Sequence, residues 1–174
     1  MDDRYSHLDQ GDAQRRRLLQ DIVRYTETGT LRQGFMGEFI RYFHEVTFAL
    51  MTRGDDFFAL FIGRLKMEVD LSWQWPLATV VAADEIYLKI NPASFLFMRL
   101  EEAGSLIKHE VLHLILDHHR REKTLKKRHD KTAINLALDV AVNQYLQDLP
   151  PFCEKLATVN LKLGLDLKFN ETLE

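Results

Sequence analysis

The segment His109-Glu110-Val111-Leu112-His113 constrains this chain more than any other feature. It lies in an apolar run with Leu106, Ile107, Leu114, Ile115 and Leu116, which reads as a largely buried helix. On a helix, two imidazoles four residues apart stand one turn from each other and about 40° apart around the axis. Two histidines and a glutamate are costly to bury there without partners. A divalent cation meets that need, because both imidazoles can reach one tetrahedral ion at roughly 2.0–2.1 Å. Glu110 adjoins His109 and cannot act as an equivalent ligand. It can reach a water in the open coordination position and take its proton. The spacing predicts Zn2+ on His109 and His113, with Glu110 as general base in hydrolysis of a peptide bond by a metal-activated water. The bland alternative is a pair of hydrogen-bonded helix histidines with no metal.

A third protein ligand is required, and the sequence offers more than one. His119 follows His109 by ten residues, but Leu114-Ile115-Leu116 offers no glycine at which the chain could bend. On an unbroken helix His119 points about 100° from the midline of the pair and His118 nearly opposite. Both then read as imidazoles complementing a helix C-terminus. Asp139 lies in the apolar segment Ala133–Asn143, where Asn135, Asp139 and Asn143 recur every four residues as one polar stripe. A buried carboxylate there calls for compensation, which a metal supplies. Asp139 is therefore expected as ligand, with His119 the alternative. A role for Asp139 accepting a ligand histidine's N–H remains open. Asn135 and Asn143 are expected to brace the helices or to contact substrate.

The remaining pattern predicts a mostly helical α+β fold. Residues 1–11 read as loose, and 13–27 as an amphipathic helix closed by Gly29. Residues 35–52 form a helix with a wide apolar face, and 55–67 another, with Asp55 as N-cap. Leu77–Ala82 and Ile86–Ile90 are β-branched segments flanking a short turn at Asp84-Glu85, and they read as a hairpin. Tyr87 and Lys89 would share one face, with Ile86, Leu88 and Ile90 on the other. The histidine helix is expected over 100–121 and a last helix over 131–147, stopped by Pro150-Pro151. The basic cluster from Arg120 to Arg128 reads as a solvated connector.

Composition narrows the function classes. A net charge of −3 gives no field that argues for nucleic acid. A single cysteine, Cys153, rules out a disulfide framework within the chain and suits a reducing compartment. The acidic-polar start Met1-Asp2-Asp3-Arg4 predicts no signal peptide, and no apolar run reaches the ~20 residues of a membrane span. A cytoplasmic location is expected, with no membrane partner. The chain ends on Asn170–Glu174 without a terminating feature, as a fragment of a longer protein would.

From Phe57 to Leu149 the sequence also resembles a family of bacterial metallopeptidase-like proteins whose domain often precedes a von Willebrand factor A-like domain. The resemblance rests on Ile86–Pro92, on Lys108-His109-Glu110-Val111-Leu112-His113 with the following His118, His119 and Arg120, and above all on Ala133–Asn143. It implies a minimal zincin-like core, with a small sheet or hairpin packed on the histidine helix, and a metallopeptidase-like activity. Two departures stand out: Ala133 occupies a position usually held by Trp, and the A-like domain is not part of this chain. Residues 1–50 match nothing in that family and could shield the cleft. The resulting partition is a single domain, with a helical extension over 1–53, a core over 54–150 and a tail over 151–174.

A peptide or protein substrate is expected to add as a strand along the Ile86–Ile90 edge, with Tyr87 or Lys89 in reach. Tyr145, His119 and Arg120 are candidates for stabilising an oxyanion. Two other readings stand beside the peptidase: a catalytically silent, metal-stabilised module that binds a protein partner in a larger assembly, and hydrolysis of a non-peptide amide.

Overall fold

The computed structural model describes residues 6–82 and 85–169, with side chains from residue 12 onward. Eight helices and three strands follow in the order α1 (Ser6–Thr28), α2 (Phe35–Thr52), α3 (Asp56–Ile62), β1 (Lys66–Val69), β2 (Leu77–Ala82), β3 (Glu85–Ile90), α4 (Pro92–Phe95), α5 (Leu100–Ile115), α6 (His118–Leu125), α7 (Lys131–Asn143) and α8 (Leu156–Leu163). The fold is mostly helical with one small mixed sheet of order β1-β3-β2.

The apolar stripe of α2 builds the core. Phe35, Phe39, Tyr42, Phe43, Val46 and Leu50 are all buried on one face, the i, i+4, i+7 spacing of an amphipathic helix. Phe95 of α4 meets Phe39 edge-on, with ring centroids 6.0 Å apart and planes at 90°, a favourable quadrupolar geometry. Leu88 and Ile90 of β3, with Ala103, Leu106, Ile107 and Val111 of α5, complete the same cluster. Gly104 lets α5 approach α2: a Cβ there would stand 3.0 Å from Leu50 Cδ2.

β3 is the central strand. It pairs antiparallel with β2, Thr79 opposite Leu88 and Leu77 opposite Ile90, and parallel with β1, Met67 opposite Leu88. Alternation places Leu77, Thr79, Leu88 and Ile90 on one buried face against α5. Tyr87 and Lys89 occupy the opposite face, as the period predicts. The hairpin is as expected, with β3 starting one residue earlier at Glu85, while Ala83 and Asp84 lie outside the described residues.

Several expectations are corrected. The third helix ends at Ile62 with Gly63 as C-cap, and residues 66–69 form β1. Leu65 and Met67 extend the helical stripe numerically, yet Met67 and Val69 alternate with Lys66 and Glu68 and serve the sheet. Helix α1 begins at Ser6, so residues 6–11 are not loose, and residues 1–5 lie outside the described part. Helix α7 ends at Asn143, and a further helix, α8, occupies the region read as tail; Asn170–Glu174 are outside the described residues. Because β3 is paired on both sides, the Ile86–Ile90 segment cannot accept a substrate strand. The outer edge of β2 is the one that faces α5.

The largest correction concerns the histidine helix, which stops at Ile115 instead of continuing to residue 121. Asp117 adopts φ 55° and ψ 35° and starts the separate helix α6. Aspartate is among the few non-glycine residues that enter this left-handed region at modest cost. The Asp117 side chain accepts from Arg120 Nε, and the Asp117 carbonyl accepts from the N–H groups of Arg120 and Arg121.

Removing a fully buried ring tests this packing. Phe39→Ala should lower unfolding free energy by about 3–5 kcal/mol, read from denaturant midpoints. Phe48→Ala, on an exposed part of α2, should change it by less than about 0.5 kcal/mol.

Candidate metal centre

Four elements converge on one cleft of about 690 Å³. Its walls are Trp75–Thr79 before and along β2, the histidine-bearing faces of α5 and α6, and the polar stripe of α7, with Phe152–Glu154 closing one end. No described residue before Trp75 lines it, so the described part of the N-terminal helices does not shield the cleft.

His109 is buried at the floor. Its Nδ1 lies 2.8 Å from Asn143 Oδ1. Asn143 Nδ2 donates to the Glu154 carbonyl at 2.8 Å, which fixes the amide with its oxygen toward the imidazole. His109 therefore donates from Nδ1 and keeps a bare lone pair on Nε2. Burial, reinforced by the neighbouring His113, lowers the His109 pKa and holds the ring neutral.

His113 Nε2 stands 2.9 Å from His109 Nε2. Asp139 Oδ1 stands 3.2 Å from His113 Nε2 and 3.8 Å from His109 Nε2. These three residues are the cluster of metal-type donors found among the described residues. Ligands bonded to zinc at 2.0–2.1 Å in a tetrahedron lie about 3.3 Å from one another. The three separations bracket that value, and two imidazoles with a carboxylate form a borderline-hard set suited to zinc. The residues present fit such an ion.

Asp139 differs in setting from the sequence reading. Its side chain is 47% exposed, because α7 turns Ile134, Val140 and Val142 inward and lays its polar stripe along the cleft wall. Along that stripe Asn135 is exposed at the rim, Asp139 stands midway and Asn143 is buried. Desolvation thus places little demand on Asp139.

Glu110 is buried, and its Oε2 is held by β2. The Thr79 backbone N–H donates to Oε2 at 2.6 Å and the Thr79 hydroxyl at 2.9 Å. With that hydroxyl proton committed, His119 donates from Nε2 to Thr79 Oγ1 at 3.2 Å. His119 accordingly reaches the Glu110 side of the cleft and stands apart from the three-donor cluster. Burial lowers its pKa.

The break at Asp117 corrects the direction expected for His118, although His118 stays outside the three-donor cluster. Instead of pointing away, His118 is 3% exposed, with Nδ1 2.9 Å from His113 Nδ1. Its pKa is pushed down to about 4, by burial first and then by His113, so it is neutral at pH 7. Of the proposed oxyanion groups only His119 lines the cleft. Arg120 is exposed and paired with Asp117, and Tyr145 lines a separate cavity of about 270 Å³ beside α2. Tyr87 is not brought to the cleft: its hydroxyl donates to Glu85. Lys89 pairs with Glu68 at 3.1 Å. Cys153 does line the cleft, but burial and the nearby Asp139 push its thiol up to about 12, which keeps it protonated.

Sequence reasoning missed Thr79 and His118. Thr79 is β-branched in a β-branched run, so its hydroxyl carried no separate signal. The clue to His118 is Asp117, a residue type other than glycine that tolerates positive φ.

Comparison with known proteins agrees with this geometry. A protein of Thermotoga maritima described as "Uncharacterized protein" is 34% identical over 68 residues, covering 39% of this chain and 17% of that protein. The chain thus spans about a sixth of the length of that curated relative. No solved structure matches the chain. A family model described as "Putative metallopeptidase domain" matches residues 45–157. That stretch holds all three strands and all of the cleft-lining residues. By this match, over well more than half its length, the chain belongs to that metallopeptidase-domain family.

Proposed function

We propose that this chain is a zinc-dependent peptidase domain in which His109, His113 and Asp139 hold the metal and Glu110 is the general base. The observation that carries this reading is the convergence of three donor atoms within 4.8 Å of one another, in a cleft that also contains the carboxylate next in sequence to the first donor. Zinc there supplies Lewis acidity, which acidifies water toward neutral pH and polarises a carbonyl oxygen.

The chain's own residues do the rest. Asn143 keeps the His109 lone pair directed at the site. Thr79 anchors Glu110 through Oε2, leaving Oε1 to take the proton of the attacking water and later deliver it to the leaving amine nitrogen. A carboxylate held by two donors to one oxygen loses little orientation entropy when it reacts. The substrate lies in extended form beside the outer edge of β2 at Leu77, whose neighbours line the cleft, the Thr79 N–H being held by Glu110. Asn135 stands at the rim, where it can meet such a strand. Cys153, the single cysteine, persists as a thiol in a reducing, cytoplasmic setting.

A second reading, a metal-stabilised module that captures a protein partner without turnover, draws on one observation: Oε2 of Glu110 is already doubly engaged. Two measurements test the base and the ligand set. In the first, Glu110→Gln should keep about one zinc per chain by elemental analysis while cleavage of an unfolded protein substrate falls roughly 10²–10⁴-fold. Undiminished cleavage in that variant would refute Glu110 as base, and a zinc-loaded wild type that cleaves nothing in a broad peptide screen would favour the capture module. In the second, Asp139→Ala should weaken zinc binding at least about tenfold relative to wild type. Unchanged affinity would remove Asp139 from the ligand set.

A further inference from the structure

Strand β2 holds Glu110 by a side chain as well as by its backbone, and that side chain is itself held. Thr79 Oγ1 stands 2.9 Å from Glu110 Oε2 and 3.2 Å from His119 Nε2. Thr79 is buried and His119 half-buried, so water does not freely replace either contact. A hydroxyl has one proton to give and lone pairs to fill. The carboxylate is the stronger acceptor and takes the proton. The imidazole N–H then fills a lone pair of Oγ1. The contacts run from His119 to Thr79 to Glu110, with each donor matched to an acceptor.

These residues come from separate elements: Glu110 from α5, Thr79 from the edge strand β2 and His119 from the first turn of α6. The chain turns at Asp117, with φ 55°, and that turn aims His119 at Thr79 instead of along α5. His119 stands outside the cluster of His109, His113 and Asp139. Without its imidazole, Oγ1 would keep an unfilled lone pair in a buried setting. The hydroxyl could then leave the Glu110 side by rotation to another staggered χ1 well. A donor to Oγ1 also polarises its O–H and strengthens the bond to the carboxylate. The Thr79 backbone N–H would still hold Oε2 at 2.6 Å. Of the two restraints on that oxygen, His119 governs the side-chain one.

We propose that His119 is a positioning residue, which acts through the Thr79 hydroxyl to keep the Glu110 carboxylate aligned and does not itself touch metal or substrate. The proposal rests on the reading of Glu110 as general base. It gives His119 a part different from both the third ligand and the oxyanion contact considered for it.

The test uses the full chain, zinc, and denatured casein carrying a quenched fluorophore as the cleavage probe. His119→Ala should lower kcat about 3–30-fold with KM little changed, a smaller loss than removal of the base. Zinc affinity, from competition with a chromophoric chelator, should stay within about threefold of wild type, because no ligand loses a partner. His119→Gln places an amide N–H where Nε2 stands and should restore most of kcat. A double-mutant cycle separates action through Thr79 from direct action. Thr79→Val keeps the shape and the backbone N–H but removes the hydroxyl, so adding His119→Ala to it should cost at most about twofold more. Independently of turnover, the Thr79 amide proton should exchange about 2–10-fold faster in His119→Ala than in wild type, the range of one lost hydrogen bond. An unchanged kcat, an unchanged Thr79 exchange rate, a zinc affinity lower by about tenfold or more, or a His119 effect that persists beside Thr79→Val would each overturn the proposal. The last would show that the imidazole meets the substrate directly. Full cleavage by Glu110→Gln, or none by the zinc-loaded wild type, would instead overturn the base reading beneath it. The exchange measurement needs no turnover, so it tells the two failures apart.

Discussion

The site depends on two imidazole nitrogens held 2.9 Å apart inside the apolar helix α5. Two imidazole nitrogens facing one another this closely are unfavourable in an apolar setting unless an electrophile lies between them, and a divalent cation would fill that part. Much of the surrounding structure serves that condition. The α7 helix brings Asp139 to complete the donor set and Asn143 to fix one ring, and α6 folds back to brace the other. Each bracing contact is buried, so each must be satisfied or the helix would carry an orphaned polar group.

The small sheet has a comparable role for Glu110. Strand β2 is short, lies at the sheet edge and turns Thr79 toward α5. An edge strand leaves backbone N–H groups unpaired, and here one of them is taken by the carboxylate beside the first donor histidine. The same contact satisfies an edge N–H and fixes the Glu110 carboxylate. The aromatic core of α2 and α4 stands behind this assembly and keeps α5 in place, as Phe39, Phe43 and Phe95 are all buried against one another.

Much of this was legible from the residues. The pentad His109–His113 names its own chemistry, because helical spacing alone puts both rings on one side. The four-residue recurrence of Asn135, Asp139 and Asn143 marked the second wall of the cleft, and the period-two runs around residues 77–90 marked the hairpin. The strand at 66–69 was not legible: four residues carry too little periodicity, and they pair with β3 only after the chain has crossed back. The apolar neighbours of Asp139 in sequence predict burial, whereas burial depends on which face packs inward, and Asp139 is half exposed.

Sequence by itself determined the donor types, their spacing on α5 and the polar stripe of α7, since these follow from local helix geometry that any packing must respect. Tertiary structure alone decided which groups brace them. His118 enters the site through one left-handed residue at Asp117, and Thr79 reaches Glu110 across thirty-one residues of chain. A backbone torsion and a long-range hydrogen bond are settled by the packing of whole elements, and no short window of sequence contains that energy.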